Sequence, residues 1–226
     1  MKRNIVLVGA FFCISCSVTS FCFLKDVRYF FSAFLRSPGH VASVIPSSGF
    51  TSRTMSSQVD CTGAPIKILE LGAGTGPITA EIVKKLRPED HLDVVEIDPD
   101  MCEILQEKFD AFPNVSVRCI SVFDWNPEYK YDFIISALPH NTFGIEFVGS
   151  VLDKYKDLIK PDGVVTYIEL MFMGNIKKLF ISGKKGDDYL KTQRVIAEFR
   201  DAFIFKTDTV LLNIPPAKVY HLKVKK

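Results

Sequence analysis

From residue 66 onward the apolar positions fall into short continuous runs, and stretches with helical spacing separate them. Ile66, Ile68, Leu69 and Leu71 form the first run, which breaks off at glycines. Ile78, Ile82 and Val83 then recur against Glu81, Lys84 and Lys85, the mark of an amphipathic helix. The same alternation predicts strands over His91–Ile97 and Val115–Ile120 and a fourth in YDFIISALPHNTF, ending in Ser136 to Asn141, with helices over Asp100–Phe112 and Gly144–Ile159. Pro161-Asp162-Gly163 predicts a turn into a strand over Val164–Leu170. A polar helix over Asp187–Phe203 follows, then strands over Lys206–Asn213 and Ala217–Val224 joined by Ile214-Pro215-Pro216. Short apolar runs alternating with helices predict an open α/β fold with a largely parallel sheet.

The first sixty residues read differently. Lys2 and Arg3 precede an uncharged stretch from Asn4 to Leu24, long enough for a secretory signal or a marginal membrane span. A translation start set too early is a third reading. In the next stretch Val27, Phe30, Phe31, Phe34 and Leu35 lie on one helical face, with Lys25, Ser32 and Arg36 opposite. Two readings stay open: a helix lying in a membrane surface, or one packed on the domain's own core. The expected division is a hydrophobic segment over 1–24, an amphipathic and capping segment over 25–60, and one domain over 61–226.

Composition narrows the partners. The 226 residues suffice for one sizeable core, and a net charge of +2 gives no bulk electrostatic case for nucleic acid. Cys61, Cys102 and Cys119 are scattered through the body and read as small apolar residues in a reducing compartment. No metal site is expected.

The chemistry centres on Gly72, Gly74 and Gly76, which sit between the first strand and its helix. Glycines there let backbone approach a ligand, and the helix start offers free N–H groups. A dinucleotide fingerprint needs a third glycine where Pro77 stands, and the lysine of a phosphate-binding loop is missing. Glu96, at a strand end about 20 residues further on, is placed to accept from ribose hydroxyls. Asp98, beside Pro99, reads as the cap of the next helix.

The run hydrophobic-Glu-Leu-Gly-x-Gly-x-Gly resembles the first motif of the S-adenosylmethionine-dependent methyltransferases. The resemblance implies a Rossmann-like seven-stranded sheet, mostly parallel with an antiparallel last strand and helices on both faces. It places Glu70 near the methionine amino group and the glycines under the methionine and ribose. Ser121 stands where an adenine-facing Asp is usual, followed by Val122, with Asp124 as the alternative acceptor. Phe123 or Trp125 would stack on adenine, although core packing is the commoner fate of such rings. At the end of the fourth strand Ser136 would help bind the cofactor, and Leu138, Pro139, His140 and Asn141 would form the loop that holds the methyl acceptor. His140 is either the group that relieves an ammonium of its proton or a surface-loop histidine. Phe143 or Phe147 would stabilise a methylated ammonium.

Three further pieces, FLRSPGHVASVIPSS, SALPHN and LNIPPAKVYHLK, resemble the bacterial soluble phospholipid N-methyltransferases, which are also similar to the rRNA adenine dimethylases. That likeness implies methyl transfer to a phosphatidylethanolamine-type amine at a membrane surface. Pro46, Ser47 and Ser48 would help close the cofactor pocket. The chain would be cytoplasmic and peripherally membrane-associated or N-terminally anchored. It departs from the family at Ser121 and in YIELMFMGNIKK, where a Tyr-Gly-Pro run is usual. The rival expectations are an rRNA adenine methyltransferase and a cofactor-binding protein without catalysis.

Overall fold

The computed structural model describes residues 49–140, 144–171, 184–213 and 215–224. Helix α1 (Gly49–Met55) leads into strand β1 (Lys67–Leu71), α2 (Pro77–Val83), β2 (His91–Glu96), α3 (Pro99–Phe109) and β3 (Val115–Cys119). Then come β4 (Tyr131–Ser136), α4 (Ile145–Leu158), β5 (Ile159–Leu170), α5 (Lys184–Phe203), β6 (Ile204–Val210) and β7 (Ala217–Lys223). The seven strands form one sheet in the order β3-β2-β1-β4-β5-β7-β6. Strands β1 to β5 pair parallel, and β7 runs antiparallel between β5 and β6. The order reverses beside β1, so the crevice outside its carboxyl end, between the diverging connections, is where such sheets bind ligands.

Alternation along the strands divides the core into two layers, with helices on both faces. Leu69, Leu71, Ile134, Val165 and Leu222 face α4 and α5, where they meet Val148, Leu152, Tyr155, Ile196 and Phe199. Ile68, Leu92, Val94, Ile135 and Val219 face the other way, against Met55, Ile78, Ile82, Leu105 and Phe109 of α1, α2 and α3. Met55 and Val59 thus pack in the same layer as β1 and β2. Each fully buried aliphatic or aromatic side chain contributes about 1.5–3 kcal/mol.

Local chemistry sets the element ends. Asp98 does cap α3, its carboxylate accepting from the N–H groups of Asp100 and Met101, with Pro99 in the first turn. The turn expected at Pro161-Asp162-Gly163 lies inside β5 as an irregularity, because pairing with β4 already starts at Ile159↔Tyr131 and resumes at Val164↔Phe133. Asp162 takes a φ of 62° there, and a Cβ on Gly163 would lie 2.7 Å from Ile159 Cγ1.

The cysteine expectation is corrected in part. Cys102 on α3 and Cys119 at the end of β3 form a disulfide, their Cα atoms 5.7 Å apart, while Cys61 is free. Residues 17 apart in sequence meet because α3 folds back along the β2–β3 edge. Among the described residues no helix is long and apolar enough to cross a membrane, and no cluster of metal-ligating side chains occurs.

Candidate active site

The turn after β1 is built from three left-handed glycines, with φ of 71°, 57° and 83° at Gly72, Gly74 and Gly76. Other residues would meet about 1–2 kcal/mol of strain at each. Their surroundings differ. A Cβ on Gly76 would lie 2.7 Å from Phe109 Cε2 and 2.9 Å from Leu105 Cδ2, so any side chain here would collide with α3. A Cβ on Gly72 would lie 3.1 Å from Leu138 Cδ2. The turn after β1 and the loop after β4 are therefore in direct contact.

Glu70 and Glu96 stand at the ends of adjacent strands. Glu96 holds the glycine turn in shape: its Oε2 accepts from Gly74 N at 2.9 Å, and its Oε1 from Ile97 N at 2.8 Å and Asp98 N at 3.0 Å. A carboxylate offers about four acceptor sites, which leaves room on Oε2 for one ribose hydroxyl. Gripping both hydroxyls requires Oε2 to give up Gly74. Glu70 is 0 % exposed, and its Oε2 accepts from Thr79 Oγ1 at 2.7 Å. It also accepts from the Thr79 backbone, so the start of α2, read from the sequence as free donors, is capped in part by this side chain. Glu70 Oε1 is buried with no hydrogen-bond partner. Burial pushes the carboxyl up to about 8, partly offset by the Thr79 bonds and reinforced by Glu96.

Beyond β3, Ser121 uses its hydroxyl oxygen to accept from Phe123 N at 3.3 Å, and Asp124 is exposed. The Val122 side chain belongs to the α4–α5 core layer, which leaves only its backbone for a ligand. Trp125 is withdrawn from any stacking role. Its Nε1 donates to Tyr131 Oη at 2.9 Å, and the Arg118 guanidinium lies over its ring. Phe123 is 37 % exposed and meets Phe147 edge-on at 5.1 Å, so it is the aromatic available to an adenine.

The loop after β4 corrects the reading of His140. It is not a surface histidine but 3 % exposed. Its Nε2 lies 2.9 Å from Tyr155 Oη, which donates to Ser136 Oγ at 2.6 Å. Ser136 Oγ also accepts from Leu138 N at 3.3 Å. Burial pushes His140 down to about 4. Taking a proton from an ammonium near pKa 10 would then be uphill by about 8 kcal/mol, so His140 is poorly suited as the base in this setting. Ser136, Tyr155 and His140 instead form a buried brace that fixes the loop carrying Leu138 and Pro139. Asn141, Phe143, Pro46, Ser47, Ser48 and the face Val27, Phe30, Phe31, Phe34 and Leu35 lie outside the described residues.

Sequence reasoning missed Thr79, Tyr155, Tyr167 and Glu169. The two tyrosines are interior positions of amphipathic or apolar segments, which carry no motif signal. Glu169 did carry one: it is the single carboxylate in the run Val164–Leu170.

A seven-stranded sheet with this order, a three-glycine turn and a carboxylate at the next strand end defines an S-adenosylmethionine crevice. Comparison with known proteins agrees. A family profile described as "Methyltransferase domain" matches residues 68–163. An ornithine lipid N-methyltransferase of Singulisphaera acidiphila is 32% identical over 154 residues, covering 66% of this chain and 80% of that protein. A ribosomal RNA small subunit methyltransferase A of Sulfurihydrogenibium sp. is 27% identical over 167 residues, covering 70% of this chain and 59% of that protein. The N-methyltransferase NodS from Bradyrhizobium japonicum, solved with S-adenosyl-L-homocysteine, matches in fold. Its TM-score is 0.58 at 11% identity, over 77% of this chain and 83% of that one. The chain belongs to the S-adenosylmethionine-dependent methyltransferases.

The residues present fit that cofactor. Glu70 Oε1 is an orphaned buried acceptor beside the glycine turn, and Glu96 retains acceptor capacity at the β2 end. Both are what an α-ammonium and a ribose hydroxyl require.

Proposed function

We propose that the protein transfers a methyl group to the amine of a membrane lipid. One observation carries the lipid over RNA: 32% identity to an ornithine lipid N-methyltransferase along most of that protein's length. A net charge of +2 supports the same choice, since an rRNA enzyme must neutralise many phosphates.

S-adenosylmethionine would supply an electrophilic methyl on a sulfonium and leave as the neutral thioether; the ammonium of the acceptor first gives a proton to water, and the protein's part is placement. Glu96 takes a ribose hydroxyl, and Glu70 takes the methionine ammonium. Ser121, Val122 and Phe123 line the adenine end, Val122 through its backbone. Leu138 and Pro139, with Asn141, hold the amine opposite the methyl, on a loop braced by Ser136, Tyr155 and His140. The contact between Leu138 and Gly72 supports this arrangement, because it joins the donor turn to the acceptor loop. The amphipathic face Val27, Phe30, Phe31, Phe34 and Leu35 brings the enzyme to the bilayer.

The test is methyl transfer from labelled S-adenosylmethionine by the full chain. Vesicles containing phosphatidylethanolamine, vesicles containing ornithine lipid, and rRNA are offered in parallel. Label is expected in an amine-bearing lipid. Label in RNA alone would establish the rRNA reading, which the Sulfurihydrogenibium relative favours, and label in none would overturn both.

A further inference from the structure

Three buried polar atoms near the acceptor loop have no hydrogen-bond partner: His140 Nδ1, Tyr167 Oη and Glu169 Oε1. Each such group costs about 1–3 kcal/mol if it stays unpaired. Their side chains adjoin one another. Tyr167 is the β5 residue paired with Ser136, the last residue of β4, and its ring centroid lies 5.0 Å from that of His140. Glu169 is two residues further along β5, on the same face, beyond the point where β4 has ended. Across the sheet Tyr167 pairs with Tyr220 of β7, ring centroids 5.2 Å apart, and Glu169 pairs with Lys218.

We propose that Tyr167, Glu169 and Tyr220 form the subsite that receives the cationic amine of the acceptor lipid, with the Glu169 carboxylate as its counter-ion. This rests on the lipid-amine reading above. A carboxylate flanked by aromatic rings is the chemistry that recognises an ammonium group. The position agrees, at the carboxyl edge of the sheet and beside the loop after β4. The cations already present leave Oε1 unclaimed. Arg200 donates to Asp201 at 2.9 Å and lies over the Tyr220 ring, and Lys218 is the cross-strand neighbour. Burial pushes the Glu169 carboxyl above the ordinary range, against the pull of Arg200, Lys218 and the Tyr220 hydroxyl. An incoming ammonium would offset that desolvation. Tyr189 also faces this carboxylate.

The experiment uses the full chain saturated with S-adenosylhomocysteine. Calorimetry measures binding of short-chain ornithine lipid and of dihexanoyl phosphatidylethanolamine, each below its micelle concentration. Glu169→Gln, which keeps the shape and removes the charge, should weaken binding of whichever amine lipid is the acceptor at least tenfold. It should leave S-adenosylhomocysteine affinity within twofold. Glu169→Asp should recover part of the loss, and Tyr167→Phe, which removes only the orphaned hydroxyl, should weaken binding about threefold. In turnover, Glu169→Gln should raise KM for the lipid with kcat changed less than threefold. Undiminished amine binding by Glu169→Gln overturns the proposal. So does parallel loss of S-adenosylhomocysteine binding, which would show a structural role. Failure of the lipid-amine reading looks different: the wild-type protein would bind neither lipid, and the subsite would fall with it.

Discussion

If the methionine ammonium sits at Glu70, as proposed, cofactor binding should be proton-linked. The Glu70 carboxyl is held at about 8, against an ordinary 4.5, chiefly by complete burial. That difference is worth about 5 kcal/mol in favour of the protonated form. Without cofactor, about nine in ten molecules should therefore carry a proton on Glu70 at pH 7. An α-ammonium placed at the orphaned Oε1 stabilises the carboxylate instead, so binding must expel that proton. The sign follows directly. A group whose folded pKa is raised lends stability that is full below 4.5 and is lost as pH rises toward 8. Cofactor bound there should restore what is lost, and its affinity should rise with pH, by up to tenfold between pH 6 and 7. Calorimetry of S-adenosylhomocysteine binding at pH 7 in phosphate and in Tris should report release of about one proton. Glu70→Gln should release none, bind with little pH dependence over that range, and bind about tenfold more weakly at pH 7.5. Equal proton release by wild type and Glu70→Gln, or none by either, would refute the placement of the amino group at Glu70.

His140 works in the opposite sense. Its pKa is depressed by burial from 6.5 to about 4, so its contribution is full above 6.5 and is lost as pH falls through 4. Urea unfolding of wild type and His140→Asn between pH 4 and 7 should show a differential loss of about 3 kcal/mol, which isolates His140 from Glu70. Gly76→Ala should cost about 2–4 kcal/mol, from left-handed strain plus overlap with Phe109 and Leu105. S-adenosylhomocysteine affinity of the folded protein should change less than threefold; a large affinity loss with little stability change would return Gly76 to the ligand. Tyr155→Phe removes the hydroxyl between His140 and Ser136 and should cost about 1–3 kcal/mol with a fall in kcat, checked by denaturation and turnover. Phe30→Asp with Phe34→Asp should abolish sedimentation with anionic vesicles while leaving S-adenosylhomocysteine binding intact.

By itself the sequence determined the alternation of strands and helices, the glycine turn, and the carboxylate that ends the second strand. These are legible because each rests on near-neighbour spacing: period 2 or 3.6 for the elements, backbone freedom for the turn, and position at a strand end for Glu96. Even the cap at Asp98 could be read, since capping is settled within four residues. Tertiary structure decided whatever depends on the partner brought in from far along the chain. Gly76 reads like its neighbours until α3 lays Phe109 and Leu105 against it. His140 reads as a loop residue until Tyr155 and Tyr167 enclose it. Cys102 and Cys119 read as separate thiols until α3 returns to the edge of β3. Tyr167 and Glu169 gain a shared role only where β5 outruns β4 at the carboxyl edge. Burial, orphaned polar atoms and shifted pKa values are properties of what packs around a group, and only the folded chain assembles those surroundings.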